Sequence, residues 1–331
     1  ARRHGLKGLG EDGVREFVRE YRELSADLAR LSTAERGRES PELFYVNRLV
    51  AGAHNLLYRR RALPARDIAQ FLFADVPREI RRSARPILLA AALLFLPAGI
   101  AGTAVYREPA VARMLVPPQM LDRAQEGVSR ARSGEGYIPD PQVFRPVMAS
   151  TIIANNVQIT FAAFAFGLTA GLGTVWLLIA NGISLGAVVG LYASKGIAGL
   201  LFAFVAPHGA LELSAICIGG GGGFLLAAAL LIPGARTRRE ALIENGARAI
   251  RLIAGSSLLL LVAGTLEGFV SPIEWWPLTV KLAVSGVTIV ALVEYLRLGR
   301  GTSGNSPSAS ERAPALDLEV AVDDAGRHHA R

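Results

Sequence analysis

The twenty residues from Pro86 to Val105, PILLAAALLFLPAGIAGTAV, contain no charged side chain, and they decide how the rest of the chain is read. A bilayer's hydrocarbon core is ~30 Å thick, so a helix needs about 20 mainly apolar residues to cross it. Further along, Val157–Ala180 is equally free of charge, whereas Ile183–Ala206 holds only Lys195, Gly209–Ile232 only Glu212 and Leu252–Val270 only Glu267. Pro277–Leu296 carries Lys281 and Glu294 near its two ends. These blocks predict an all-α polytopic membrane protein with about six transmembrane helices. In the third block, Lys195-Gly196 near the middle marks a break or a re-entrant path.

Composition agrees with that reading. Across 331 residues, 51% are hydrophobic and 19% charged, with a mean hydropathy of +0.34. A soluble domain is typically about a quarter charged, and a disordered chain is poor in apolar residues. The single Cys217 excludes a disulfide framework and a thiolate metal cluster, which need several cysteines. A net charge of +8 would suit nucleic acid if it formed a patch on a soluble surface. Here the arginines instead crowd the edges of spans, so lipid is the expected environment and no nucleic-acid partner is expected.

Basic residues are retained on the cytoplasmic side of a span. Arg66, Arg78, Arg81, Arg82 and Arg85 precede the first block, and Arg236, Arg238, Arg239, Arg248 and Arg251 fill the connection between the fourth and fifth. The Ser271–Trp276 connection has no basic residue. Six spans with both termini cytoplasmic satisfy all of these. The expected organisation is a cytoplasmic amphipathic helical region over 1–85, a first span over 86–105 and an extracytoplasmic loop over 106–146. A five-helix bundle over 147–298 and a disordered cytoplasmic tail over 299–331 follow. Ala1–Gly10 is polar with no apolar stretch behind it, so no cleavable signal peptide is expected.

Within 1–85, Val14, Phe17, Val18, Tyr21, Leu24, Leu28 and Leu31 recur at helical spacing. Glu42–Tyr58 shows a second stripe, with Ser40 placed as N-cap and Pro41 in the first turn. Ile68–Ser83 is apolar with a basic end, the pattern of an interfacial helix on anionic lipid. The 106–146 loop holds six prolines and is expected to carry a short helix around Met120–Ala131. His328 and His329 in the tail make a poor metal site by themselves.

Ionisable groups inside spans are costly, so each marks a functional hypothesis. Only three of the 36 basic side chains are Lys, and two of these, Lys195 and Lys281, fall within predicted spans. Lys loses its proton when buried far more readily than Arg, which makes Lys195 a candidate ion relay. Lys281, near a helix end, is expected to snorkel. In Pro207-His208-Gly209-Ala210-Leu211-Glu212, His208 and Glu212 stand at i, i+4 on one helix face. With Asn155 and Asn156 at the start of the second span and Glu267 near the end of the fifth, they form a predicted cluster in the outer leaflet. Three readings stay open for it: a hydrogen-bonded network tying helices together, a substrate or ion site, and a metal-dependent hydrolytic centre. The last lacks the second histidine of an HExxH helix. No catalytic residue, metal ligand or cofactor is assigned.

Gly167 and Gly171, and Gly182, Gly186 and Gly190, repeat at four-residue steps that let helices pack closely. Gly219–Gly223 is an unbroken run of five in a predicted span, read as a hinge or close-contact surface. Gly-rich spans also occur in transporters with broken helices, which keeps transport open.

In order and spacing these motifs resemble the stage II sporulation protein M family of bacterial integral membrane proteins. The carriers are Ala154-Asn155-Asn156, an Asn181-Gly182 turn, Pro207-His208-Gly209 with Glu212, and Glu267-Gly268-Phe269 with Ser271-Pro272. Tyr21-Arg22-Glu23-Leu24 through Ala29 and Tyr45-Val46-Asn47-Arg48-Leu49 through Tyr58 also fit, so the resemblance covers about residues 11–298. It implies a non-enzymatic cytoplasmic-membrane scaffold whose partners are membrane or cell-wall-modifying proteins, with self-association left open.

Overall fold

A computed structural model describes residues 10–34, 40–57, 64–135, 137, 141–273 and 276–298, without the side chains of 11 and 141–152. The tail and its His328-His329 pair lie outside these residues. All regular secondary structure among the described residues is helical.

The chain divides into two units, 1–65 and 66–331. In the first, α1 (Gly10–Ala34) pairs with α2 (Pro41–Leu57). Leu43 N donates to Ser40 Oγ at 3.1 Å, the cap expected of that serine. Tyr21 Oη and His54 Nδ1 meet at 3.0 Å between the two helices.

The second unit opens with α3 (Ala65–Gln70), a π-helical turn over Phe71–Asp75 and α4 (Val76–Arg82). The long helices are α5 (Ala84–Arg107), α8 (Pro141–Ala165), α9 (Leu172–Ser194), α10 (Ala198–Leu231), α11 (Arg238–Phe269) and α12 (Leu278–Arg297). The short α6 (Ala112–Leu115) and the longer α7 (Pro118–Ser133) lie in the connection after α5, α7 spanning the helix expected near Met120–Ala131. Five helices, α5 and α9–α12, are long and apolar enough to cross a membrane, and the apolar stretch Ile153–Leu168 is shorter.

Two apolar blocks are cut by turns, the second of them at the break marked by Lys195-Gly196 in the sequence. The block Val157–Ala180 is cut by a 3-10 turn at Phe166–Leu168 and by Gly171, whose φ of +82° suits glycine. Its second half therefore opens α9. The block Ile183–Ala206 is cut at Lys195-Gly196, where Gly196 has φ +72°. Asn181-Gly182 makes no turn. It sits inside α9, with Asn181 Nδ2 donating to Leu177 O at 2.8 Å. Pro207, expected in a first helical turn, lies within α10. Hydropathy does not see the turn at Phe166–Leu168 in uniformly apolar sequence, so the second and third blocks start and end more than ten residues beyond α8 and α9.

The fourth helix of that set, α10, is the axis of the bundle, packing on α5, α8, α9, α11 and α12. Its five consecutive glycines are all buried and face different neighbours. A Cβ on Gly219 would lie 2.9 Å from Thr160 O of α8, one on Gly221 3.1 Å from the Ile87 backbone of α5, and one on Gly223 2.3 Å from Ala163 O. On α9 the stripe Gly182, Gly186, Gly190 meets the α5 carbonyls of Leu94, Ala98 and Gly102 in that order, so α5 and α9 run parallel. Gly167 lies against the Gly223 backbone and Gly171 against Ala227. The run is thus a close-contact surface on several sides of one helix.

The connection after α5 folds back on one end of the bundle. Ala112, Val116 and Ala124 share a core with Val105, Leu191, Tyr192 and Ile197. At the opposite end, α4 packs on α11: Val76 and Ile80 fill the space over Gly255 and join Leu252 and Leu259 in the largest core. The apolar face of α4 is therefore taken up by protein, whereas the sequence reading placed it on lipid.

Candidate polar site in the helix bundle

Three helices and one turn supply the cluster. His208 and Glu212 come from α10, Glu267 from the last turn of α11, Asn156 from α8, and Ser271 from the turn leading toward α12. His208 is 2% exposed and Glu267 fully buried. Nδ1 of His208 and Oγ of Ser271 are 2.8 Å apart, while Nε2 faces Glu212 Oε2 at 3.9 Å, as the i, i+4 spacing predicts. The Asn156 carboxamide reaches the Glu212 carboxylate. Phe204, one turn before His208, holds the imidazole edge-on with ring centroids 5.5 Å apart. Glu267 lies within electrostatic reach of Glu212, yet neither of its oxygens has a hydrogen-bond partner. A buried carboxylate in that condition is unusual and calls for a role.

Lys281 belongs to the same assembly. It is buried, and Nζ donates to Ser271 O at 2.9 Å, which ties α12 to the turn after α11. Snorkelling is therefore not its state. Serine, backbone and histidine together form a line from α12 to α10, which the sequence reading missed because Ser271 was seen only as part of a turn.

The remaining residues fall elsewhere. Asn155 is exposed and outside the cluster. Lys195 lies in the turn between α9 and α10, where Nζ donates to Gln125 Oε1 of α7 at 2.7 Å. It braces the connection against the bundle end, and a relay inside a span is not its place. The three acid and imidazole groups do not form a metal-holding set. Among the described residues no three His, Cys, Asp or Glu side chains stand close enough to share an ion.

A second buried polar group was also missed. Glu79 of α4 is 5% exposed and accepts from Arg248 Nε at 2.8 Å and from Ser83 Oγ at 2.8 Å, with Arg251 Nη1 at 3.9 Å. Arg248 also donates to Ser83 Oγ. Glu79 was hidden among its arginine neighbours, and its register against α11 is a tertiary fact.

Apolar helices of spanning length, glycine-mediated helix contacts and a polar cluster buried between them define a multi-pass membrane protein. More narrowly, the chain belongs to the stage II sporulation protein M family, whose profile matches residues 91–272, more than half of its length. The match contains α9, α10, α11 and every member of the cluster except Lys281. An uncharacterized protein of the archaeon Methanocaldococcus jannaschii is 28% identical over 138 residues, 41% of this chain and 75% of the relative. No solved structure matches.

Proposed function

We propose that the chain is a non-enzymatic scaffold of the bacterial cytoplasmic membrane, organising partners that remodel the cell envelope. The observation that carries the reading is how the bundle spends its polar groups. Lys281, Ser271, His208, Glu212 and Asn156 are committed to one another across three helices and the turn after α11, and Lys195 to the neighbouring connection. Interhelical polar bonds of this kind fix helix order and register. Ser271 Oγ does stand beside the His208 imidazole, but both residues are only 2% exposed and the Ser271 carbonyl holds Lys281, which favours a structural role for the pair.

On this reading both termini lie on the cytoplasmic side. Arg81 of α4 bonds to the end of α12, and Arg248 of α11 to Glu79 of α4, so the arginines flanking α5, α11 and α12 gather at one end of the bundle. Under the positive-inside rule that end faces the cytoplasm. The folded connection carrying α6 and α7 then faces outward, where it would meet cell-wall-modifying enzymes. Crosslinking in the native membrane, followed by identification of the captured proteins, tests the scaffold reading. Recovery of envelope-modifying proteins is expected, and reproducible failure to capture any protein beyond the chain itself would overturn it. For orientation, a cysteine placed in α7 should react with an impermeant reagent added outside.

One observation favours a second reading, a transport or channel-like protein. Glu267 alone in the cluster is unpaired, and intramembrane carboxylates commonly mark ion pathways. Reconstitution in vesicles separates the two. Cation flux abolished by Glu267→Gln would support transport, and absence of flux would leave the scaffold.

A further inference from the structure

An apolar groove of about 420 Å³ runs along the outside of the bundle between α5 and α12, floored by α10. Ile87, Ala91 and Phe95 form one wall at i, i+4, i+8, Leu292 stands on the other, and Leu213 and Cys217 lie on the floor. From Ile87 to Phe95 the groove is about 12 Å long at 1.5 Å per residue. That is close to the depth of one leaflet, half of a ~30 Å hydrocarbon core.

One end of the groove is strongly basic. Leu296 closes the wall there, and Arg81 of α4 donates to the carbonyl oxygens of Leu296 and, at 2.7 Å, of Leu298. Arg82 and Arg85 follow Arg81 along the chain at the α4–α5 junction and are exposed, and Arg297 follows Leu296 on α12. The acid nearest along α12, Glu294, pairs with Arg297, and Glu79 is buried against Arg248, so the end keeps a positive excess. The other end, at Phe95 and Ala210, is apolar. An oily slot one leaflet deep with cations at its membrane-surface end matches the two halves of an anionic lipid. An apolar transmembrane helix seated there would leave those cations without a counter-charge.

We propose that this groove holds one acyl chain of an anionic phospholipid, with its headgroup on the arginines at the end of α4 and the start of α5. The site goes beyond the scaffold reading and does not depend on it. A chain seated between α5 and α12 bridges two helices that both rest on α10, completing the lipid-facing side of the bundle. Basic pockets between transmembrane helices take anionic headgroups through the same electrostatics, worth about 1 kcal/mol per arginine near the surface.

Native mass spectrometry of the full chain in detergent, titrated with phosphatidylglycerol or with phosphatidylcholine of identical chains, tests this. One retained phosphatidylglycerol is expected, bound roughly 10- to 30-fold more tightly than phosphatidylcholine, which is what two arginines supply. The double variant Arg82→Gln, Arg85→Gln should erase that preference while keeping chain binding. Ala91→Phe, which fills the slot, should lose both lipids without lowering the melting temperature. Should that variant not fold, a phosphatidylglycerol with a photoactivatable acyl chain is crosslinked to the wild-type protein. Adducts on the peptide carrying Leu213 and Cys217 are expected. Equal retention of the two lipids, adducts confined to other helices, or an Ala91→Phe effect that is loss of a dimer with lipid still bound would each overturn the proposal.

Discussion

The α5–α9 seam and the α10–α11 seam hold the same bundle together with opposite materials. Along the first, Gly182, Gly186 and Gly190 bring α9 against the carbonyl oxygens of α5, and the contact exists because side chains are missing. Along the second, side chains supply the bonds: Ser256 Oγ donates to Ala215 O at 3.0 Å, Asn245 Nδ2 to Leu225 O at 3.1 Å, and His208 meets Ser271. The first seam gains dispersion from backbone atoms brought into contact, since lipid tails offer no hydrophobic drive for helices to associate. It has no slack, because any added atom overlaps a carbonyl. The second seam is adjustable, because a lost polar bond is replaced in part by relaxation or by another partner.

The sharpest way to break the comparison is at the first seam. A Cβ on Gly186 would stand 1.9 Å from Ala98 O. Gly186→Val should therefore cost at least about 3 kcal/mol, the upper range for overpacking, and prevent recovery of folded protein, read by melting in detergent. A nearly intact melting curve would show that the seam has slack after all. Next in size is the buried ion pair at the arginine-rich end. Glu79→Ala leaves Arg248 without its carboxylate partner, and removing one member of a buried pair typically costs about 3–5 kcal/mol. Because Arg248 is partly exposed, a value near the low end is expected. The double variant with Arg248→Met should recover much of the loss, and the cycle measures the coupling.

The polar seam should yield less. Ser256→Ala removes one interhelical hydrogen bond, worth about 0.6 kcal/mol in comparable membrane helices. A cost above 2 kcal/mol would mean that this seam is as unforgiving as the first. Smallest of all, Gly99→Ala faces open space on α5 and adds helix propensity, so a gain of roughly 0.5–1 kcal/mol is expected. Set beside Gly186→Val, it separates packing from propensity at two helical glycines.

Much of this was legible in the sequence, for identifiable reasons. His208 and Glu212 face each other because i, i+4 spacing on a helix leaves little choice. The four-residue glycine steps announced close packing, though not that α5 would be the partner. Lys195-Gly196 announced a break, but the apolar stretches around it put Lys195 inside a predicted span, whereas it caps the end of α9. Asn181-Gly182 misled for the converse reason, since a turn-forming pair was absorbed into a continuous helix when Asn181 bonded back to Leu177. Glu79 could not be found as a buried acid, because nothing near it in sequence shows that Arg248, far along the chain, would reach it.

The sequence by itself determined that this chain is helical, that it carries apolar blocks of membrane-spanning length, and which family it joins. Length, hydropathy and local spacing are properties of neighbouring residues. Only the tertiary structure decided where the helices turn, why five glycines stand in a row, and which polar groups meet. Glycine in the run is explained by carbonyls on α8 and by the Ile87 backbone on α5, and Lys281 by a carbonyl in the turn after α11. Such contacts depend on register between helices, and register is fixed only when all of them pack together.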